Sequence, residues 1–262
     1  MSQPGAPGRG PAQPAAARIY DYLLGGKDNY PVDRAAADRV LAVAPDQRRL
    51  ARANRAFAIR AVRVLADAGI RQFIDLGTGL PTSPSVHEAA RRADPSARVV
   101  YIDHDPLVHA HNAAVLAGDG QVVPIQADIR QPRVILAHPD VARLIDFSQP
   151  VGLLCVAVLH LVPDEEDPAG IIGQFCDRLC AGSYLVFSQF ASDSDPQAMA
   201  ELRAASLGTP VQTYFRPRSE ILRFFNGFEL AEPGLTDVQD WRPDSVSSPT
   251  RLRIAGAVGR KR

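Results

Sequence analysis

Three aspartates stand at the ends of successive apolar runs in this sequence. Asp75 lies in FIDLGTG, Asp103 closes VVYID, and Asp128 follows VPIQA. A carboxylate offers two acceptor oxygens, so Asp103 could accept both hydroxyls of a ribose and Asp128 an adenine amino group. Each aspartate alone could equally cap a helix or hold a turn. Three of them at consecutive strand ends favour a nucleotide cofactor site.

The glycines after Asp75 could bring the backbone close to such a cofactor. Gly77 and Gly79 allow a sharp turn, and a helix that begins after them would present free N–H groups. GTGLPT fits the G-x-G-x-x-G dinucleotide pattern only if Thr82 stands for the third glycine. An NAD-dependent oxidoreductase is therefore one alternative, although dinucleotide sites usually keep an apolar residue where Asp75 stands.

One histidine is a candidate for catalysis. His160 follows the apolar run LLCVAVL, at the expected carboxyl end of a strand, where it could act as a general base or only shape the pocket. The cluster of His104, His109 and His111 contains no pair four residues apart, and no Cys or Glu completes a ligand set. No metal site is expected there.

Alternating strand and helix patterns would position these residues on a mostly parallel sheet with helices on both faces. The predicted strands are Gln72–Leu76, Arg98–Ile102, Gln121–Gln126, Val151–Leu159, Ser183–Gln189, Glu229–Ala231 and Arg251–Val258. The predicted helices are Val32–Val43, Gln47–Ala68, Ser85–Arg92, Pro106–Leu116, Asp140–Ile145, Ala169–Leu179, Pro196–Ala205 and Arg218–Phe225. We predict a disordered tail at 1–17, which almost lacks large apolar groups, a helical cap at 18–69 and a cofactor-binding domain at 70–262.

Composition narrows the class of partner. The chain has 262 residues, 46% of them hydrophobic, enough for one large core. Its 29 basic and 29 acidic residues balance, so no overall field attracts nucleic acid or acidic membranes, and the arginines 48, 52 and 55 are expected to form a solvated face rather than a phosphate site. Three cysteines match neither a zinc site nor a disulfide framework, and no apolar run is long enough to span a bilayer. These features predict a cytoplasmic protein.

The motifs, in order, resemble a known class of enzyme. DLGTG, YIDHDP, QADIRQP and VGLLCVAVLHLVPDE together look like the class I, Rossmann-like S-adenosylmethionine-dependent methyltransferases. ARIYDYLLGGKDNYPVDR with NRAFAIRAVRVLADAGIRQFIDLGTGLPT is similar to one bacterial methyltransferase family first catalogued as a domain of unknown function, over about residues 17 to 260. Pro81 departs from the third glycine of many relatives. No N/D-P-P-Y/F motif follows the fourth strand, which argues against methylation of nucleic acid bases.

The resemblance implies a seven-stranded sheet in the order 3-2-1-4-5-7-6, with strand 7 antiparallel and the N-terminal helices as a cap. By motif position it implies that the cofactor is surrounded by Asp75 at its methionine portion, Asp103 at the ribose, Asp128 and Ile129 at the adenine, and Gly77, Thr78, Gly79 and His104 between them. From the cap, Tyr20 and Lys27 are predicted to close over the cofactor, with Lys27 or a tyrosine meeting the methionine carboxylate.

The function expected from these residues is transfer of a methyl group from S-adenosylmethionine to a small-molecule acceptor. Positioning a nucleophile against the sulfonium methyl can supply most of the acceleration, and a base is needed only for a protonated acceptor. A second alternative, beside the oxidoreductase, is a protein that binds S-adenosylmethionine without turnover, because no base is certain beyond the candidate His160. Nucleic acid and membrane partners are not expected, and nothing in the sequence indicates an oligomeric state.

Overall fold

A computed structural model describes residues 11–207, 209–246 and 248–262. Their central feature is one sheet of eight strands: β1 (Gln72–Leu76), β2 (Arg98–Asp103), β3 (Val122–Gln126), β4 (Gly152–Val156), β5 (Tyr184–Phe190), β6 (Phe228–Leu230), β7 (Thr236–Asp237) and β8 (Ile254–Lys261). The strand order is β3-β2-β1-β4-β5-β8-β6, and β7 pairs with β8 beside this path. Strands β1 to β5 are parallel to one another, whereas β8 is antiparallel to β5, β6 and β7.

This topology confirms the predicted Rossmann-like fold. With the two-residue β7 set aside, β8 and β6 occupy the places predicted for strands 7 and 6, and the seventh strand is antiparallel. The carboxyl ends of β1, β2 and β4 therefore meet at one edge of the sheet, which is where ligands bind in open α/β sheets.

Helices cover both faces of the sheet. They are α1 (Ala16–Leu24), α2 (Pro31–Val43), α3 (Gln47–Asp67), α4 (Val86–Arg91), α5 (Pro106–Val115), α6 (Pro132–Leu136), α7 (Pro139–Leu144), α8 (Pro168–Arg178), α9 (Pro196–Ser206) and α10 (Arg218–Arg223). Several begin with proline, which suits a first helical position because the N–H there has no partner inside the helix.

Side chains of β1 point alternately to the two faces of the sheet, and each face has its own hydrophobic cluster. Phe73 packs in a cluster with Phe57 and Leu65 of α3, while its neighbour Ile74 packs in a second cluster that includes Phe175 of α8. Successive side chains of a strand point to opposite faces, so one strand joins both clusters. Helix α3 thus lies directly on the sheet and shares its core, although the sequence places it in the predicted cap at 18–69.

The N-terminal cap contains a helix that the sequence analysis missed. Helix α1 begins at Ala16, inside the predicted tail at 1–17, of which residues 1–10 lie outside the described ranges. Its apolar period is interrupted because Arg18 and Asp21 are buried together with Leu23. Buried charges hide the helical pattern from a search for apolar residues.

Other boundaries also differ from the predictions. The fourth strand was expected at Val151–Leu159 but ends at Val156, because Ala157 takes a positive φ of 58° and a 3₁₀ turn follows at Leu159–Leu161. The last strand was expected at Arg251–Val258 and instead spans Ile254–Lys261. The short elements α6 and β7 were not predicted. None of the helices in the described ranges combines the length and apolar character needed to span a membrane.

Candidate functional site

A cavity of about 180 Å³ lies at the carboxyl ends of β1, β2 and β4. Its floor is formed by the turn after β1 and the loop after β2, which contribute Asp75, Gly77 and Asp103. Helices α1 and α3 cover it from the cap, with Tyr20 and Asn54 among the lining side chains. The strand ends that carry Asp75 and Asp103 therefore share one cavity with the cap.

The glycine turn holds the backbone against the neighbouring strand. Gly77 and Gly79 both have φ of 68°, a conformation that L side chains rarely adopt. The N–H groups of Gly77 and Thr78 both donate to the Ile102 carbonyl, at 2.7 and 3.0 Å. A Cβ on Gly77 would lie 2.5 Å from Val158 Cγ2, so a side chain there does not fit.

The Asp103 carboxylate accepts two backbone hydrogen bonds and can accept more. Its Oδ2 accepts from the Gly79 N–H at 2.9 Å and its Oδ1 from the Asp105 N–H at 3.0 Å. Burial raises the pKa of this carboxyl, and the two backbone hydrogen bonds oppose that rise. Each carboxylate oxygen can accept a further hydrogen bond, so the side chain is suited to a pair of neighbouring hydroxyls.

Asp75 is the second buried carboxylate of the cavity. Burial raises its pKa to about 6, although the charge of Arg55 and a hydrogen bond from Thr78 Oγ1 act in the opposite direction. Arg55 does not form an ion pair with it, because the guanidinium donates to the carbonyls of Thr82 and Pro84. A positively charged ligand group nearby would favour the ionised carboxylate and so oppose the effect of burial on its pKa.

A buried arginine joins the cap to the cofactor loop. Arg18 Nε donates to Asp33 of α2 and its Nη1 to Asp105, each at 2.9 Å. Asp105 is the residue whose N–H holds Asp103. The role of Arg18 is not visible in the sequence, since its two acidic partners lie 15 and 87 residues away along the chain.

Tyr20 and Asn54 form a hydrogen-bonded wall between the cap and the sheet. Tyr20 donates to the Ala51 carbonyl at 2.9 Å and accepts from Asn54 Nδ2 at 3.1 Å. Ser188 of β5 donates to Asn54 Oδ1 at 2.7 Å. Burial raises the pKa of Tyr20, so the phenol stays protonated at physiological pH. This wall positions the Tyr20 ring at the cavity without leaving its hydroxyl unpaired.

His160 lies in the 3₁₀ turn after β4 and lines the cavity. Its Nδ1 is buried and has no hydrogen-bond partner among the described residues. Burial, with a smaller contribution from the charge of Arg216, lowers its pKa to about 3. The imidazole is therefore neutral at physiological pH, and its Nδ1 has an unused capacity for one hydrogen bond.

Of the other predicted site residues, some line the cavity and some do not. Thr78, Gly79 and His104 line the cavity, with the His104 side chain 73% exposed at its rim. Asp128, Ile129 and Lys27 are not among the described residues that line it. The Asp128 carboxylate pairs with Arg130, which lowers its pKa, and Ile129 packs in the core next to α6.

Two of the three arginines in the α3 stripe make internal contacts. Arg48 stacks over the Tyr22 ring of the cap, 4.5 Å from its centroid, and donates to the Tyr22 carbonyl. Arg55 donates to the carbonyls of Thr82 and Pro84, whereas Arg52 is exposed. Across the described ranges, no three His, Cys, Asp or Glu side chains form a group that could hold a metal ion.

Comparisons with known proteins place this arrangement in a family. A family model described as S-adenosyl methyltransferase matches residues 10–262. A Thermobifida fusca YX crystal structure, of a protein provisionally assigned as a methyltransferase, is 41% identical, with 95% of this chain and 96% of that chain covered and a TM-score of 0.90. A DUF574 family protein from Streptomyces avermitilis MA-4680 is 38% identical, with 95% and 98% covered and a TM-score of 0.91.

More distant similarity concerns the fold alone. An O-methyltransferase family protein from Burkholderia thailandensis is 15% identical, with 92% of this chain and 63% of that chain covered and a TM-score of 0.50. No protein of curated function matches the chain.

The cavity fits the cofactor of this family. S-adenosylmethionine carries a sulfonium and an ammonium group, and the cavity presents Asp75 and Asp103, with neither of which a described lysine or arginine forms an ion pair. The predicted cofactor and enzyme class are confirmed, and neither the NAD-dependent nor the non-catalytic alternative has support. From the match over residues 10–262, the chain belongs to the S-adenosyl methyltransferase family and is an S-adenosylmethionine-dependent methyltransferase.

Proposed function

We propose that this enzyme methylates a small molecule while Asp75 and Asp103 hold the cofactor. The observation that carries the cofactor assignment is the pair of buried carboxylates in one cavity, both with pKa values raised by burial. A buried carboxylate whose charge is not balanced by a cation is unfavourable until a cation or further hydrogen-bond donors reach it. A ligand with two positive groups and a ribose diol supplies both.

Each side of the cavity then has a role. Asp103 accepts the two ribose hydroxyls, and Asp75 faces the ammonium group of the methionine portion. The glycine turn of Gly77 and Gly79 lets the backbone approach the ligand. We place the adenine beside Asp128 and Ile129, which is supported by the Ala127 N–H donating to the Asp103 carbonyl at 2.9 Å. Lys27 is exposed, and no contact among the described residues supports a role for it.

The chain's contribution to methyl transfer is mainly positioning. S-adenosylmethionine supplies an activated methyl group on its sulfonium. The protein must orient an acceptor atom toward that methyl and exclude water from the reacting atoms. Tyr20 and Asn54 do this from the cap side, because their hydrogen bonds tie α1 and α3 to β5.

The closed position of the site and the charge of the chain support a small acceptor. The cavity lies beneath α1, so a large duplex or a folded protein would have to displace the cap. Acidic and basic residues balance at +0, which provides no field for a polyanion. We propose that the reaction takes place in the cytoplasm, in keeping with the absence of any described disulfide among the three cysteines.

Calorimetric titration tests the cofactor assignment. Wild type, Asp103→Ala and the surface control Asp140→Ala are each titrated with S-adenosylmethionine, S-adenosylhomocysteine and NAD. Losing two hydrogen bonds to a charged group, each contributing about 1.5 kcal/mol or more, should weaken binding of the first two ligands at least about a hundredfold in Asp103→Ala. Asp140→Ala should bind as wild type does. Equal affinity in Asp103→Ala would remove Asp103 from the site.

A transfer assay tests the class of acceptor. The enzyme is incubated with methyl-labelled S-adenosylmethionine and either the dialysable or the macromolecular fraction of a cell extract. We expect label to appear in a dialysable product. Transfer only to protein or nucleic acid would overturn the small-molecule proposal while leaving the cofactor site intact.

A further inference from the structure

A second cavity, of about 110 Å³, lies between α1, α2, α9 and the segment 209–213. It adjoins the cofactor cavity, because Tyr20, Gln47, His160 and Phe190 line both. We call this second space the cap chamber. Nothing in the cofactor assignment above uses it.

The walls of the cap chamber are apolar. They include Ile19 and Leu23 of α1, Val40 of α2, and Leu202 and Ala205 of α9. Leu23 and Leu202 are each only 4% exposed. A surface of this kind favours an apolar ligand, because water gains few hydrogen bonds there.

The hydroxyl groups around the cap chamber are already engaged. Ser206 Oγ donates to the Leu202 carbonyl at 2.9 Å, Thr209 Oγ1 to the Ser206 carbonyl at 2.6 Å and Thr213 Oγ1 to the Val211 carbonyl at 3.3 Å. These side chains therefore present mainly their carbon atoms to a ligand. Arg39 lines the chamber and is exposed, so its charge stays in solvent at the mouth.

Two buried polar atoms at the junction of the cavities lack partners. Gln47 Oε1 and His160 Nδ1 have no hydrogen-bond partner within the described ranges. Gln47 is 7% exposed and His160 is 8% exposed. Buried polar atoms are nearly always paired in folded proteins, so two unpaired atoms on one shared wall point to a ligand that brings a hydrogen-bond donor to this junction.

We propose that the cap chamber binds the methyl acceptor, a neutral molecule with an apolar body of about one aromatic ring and one hydroxyl group, and that this hydroxyl lies against Gln47 and His160 at the junction. The proposal rests on the methyltransferase function and deepens it. The volume limits the apolar body to about one ring, since the chamber's 110 Å³ is below the roughly 150 Å³ of a cavity that holds benzene.

The atoms balance for methylation of this hydroxyl. Its oxygen forms a new bond to the methyl carbon, the carbon–sulfur bond breaks with its electron pair remaining on sulfur, and the O–H bond breaks. The proton passes to His160 Nδ1 and then to solvent. A weakly basic imidazole suffices, because an oxygen that is gaining a third bond becomes strongly acidic as the methyl group arrives.

Ligand binding tests the proposal without relying on turnover. Dissociation constants of 4-methylphenol, toluene and 4-methylbenzoate are measured by NMR titration on protein saturated with S-adenosylhomocysteine. The variants are Gln47→Leu, which removes one acceptor, and Ala205→Trp, which fills the chamber. Ala204→Trp, on the exposed face of the same helix, is the matched control. Calorimetry gives the S-adenosylhomocysteine affinity of every variant.

The expected result is a pattern across ligands and variants. Wild type should bind 4-methylphenol about fivefold more tightly than toluene, because one net hydrogen bond contributes about 1 kcal/mol. Gln47→Leu leaves His160 Nδ1 as the remaining acceptor and should reduce this preference. Ala205→Trp should weaken both ligands at least tenfold, whereas Ala204→Trp should match wild type. All variants should keep their S-adenosylhomocysteine affinity.

Three results would overturn the proposal. They are no binding of 4-methylphenol, equal binding of it to Ala205→Trp and wild type, and tighter binding of 4-methylbenzoate than of 4-methylphenol. If wild type does not bind S-adenosylhomocysteine, the cofactor assignment is wrong instead. The two failures are therefore distinguishable.

Discussion

Replacing Asp75 by asparagine should make the protein more stable and a weaker binder of its cofactor. Burial raises the pKa of this carboxyl from 3.8 to about 6, against the opposing charge of Arg55. The unfolded chain releases the proton first, so raising the pH from 3.8 to about 6 favours the unfolded state. The stability that the protonated group contributes is complete below 3.8 and lost above about 6.

The magnitude follows from the two pKa values. At 1.36 kcal/mol per pKa unit, ionised Asp75 destabilises the folded protein by about 3 kcal/mol at neutral pH. Asparagine cannot ionise and keeps an acceptor for Thr78 Oγ1, so Asp75→Asn should gain about 2 to 3 kcal/mol there. The same variant lacks the charge proposed to face the cofactor's ammonium group, and its affinity for S-adenosylhomocysteine should fall at least about tenfold.

Urea denaturation at about pH 5 and about pH 7.5, with calorimetric titration of S-adenosylhomocysteine, measures both effects. The control is Asp119→Asn, because hydrogen bonds from Arg91 lower the pKa of Asp119 to about 2. Asp119→Asn should therefore be less stable than wild type at neutral pH, whereas Asp75→Asn should be more stable. If Asp75→Asn is no more stable than wild type at about pH 7.5, or has the same dependence on pH, the reasoning from burial is wrong.

Two further predictions concern the glycine turn and the cap. Gly77→Ala and Gly79→Ala should each lower the free energy of unfolding by about 1 to 2 kcal/mol, because both positions have a positive φ. Gly77→Ala should lose about 1 to 3 kcal/mol more, because only its Cβ would clash with Val158. Equal losses in chemical denaturation would show that the Val158 side chain moves aside without cost. Arg18→Ala should lower the free energy of unfolding by about 3 to 5 kcal/mol, since it leaves buried carboxylates unpaired, whereas the surface variant Arg143→Ala should lose less than about 1 kcal/mol. A small loss in Arg18→Ala would mean that water reaches the pair.

The sheet could be predicted because its signals are local. Strand β1 has the predicted bounds, and the apolar runs that follow it give the predicted strand order. Asp75 and Asp103 were expected to share a site because parallel strands end at one edge, and the structure places both on one cavity. Asp128 has the same kind of position, but its carboxylate pairs with Arg130, two residues later. That competing partner was visible in the sequence.

The cap chamber could not be predicted from the sequence. Gln47 opens a helix that reads as an ordinary amphipathic segment, and its unpaired oxygen matters only because His160, more than a hundred positions later, lies on the same wall. Contacts of this kind depend on how helices pack on the sheet. Periodicity describes each helix alone and carries no information on which side chain of another element it meets.

The N-terminal motif ARIYDYLLGGKDNYPVDR resembles one family more specifically than the glycine turn does. Hydrogen bonds within the motif explain why its residues are so specific. Asp21 accepts from the Asp28 N–H and from Asn29 Nδ2, and a Cβ on Gly26 would overlap its carboxylate. These contacts hold the turn after α1, residues 25–29, against Asp21 of the helix. Arg18 at its start also pairs with Asp105, so the motif that shapes the cap is bonded to the loop that orients the proposed ribose acid. The packing of the cap and the binding of the cofactor should consequently stabilise each other.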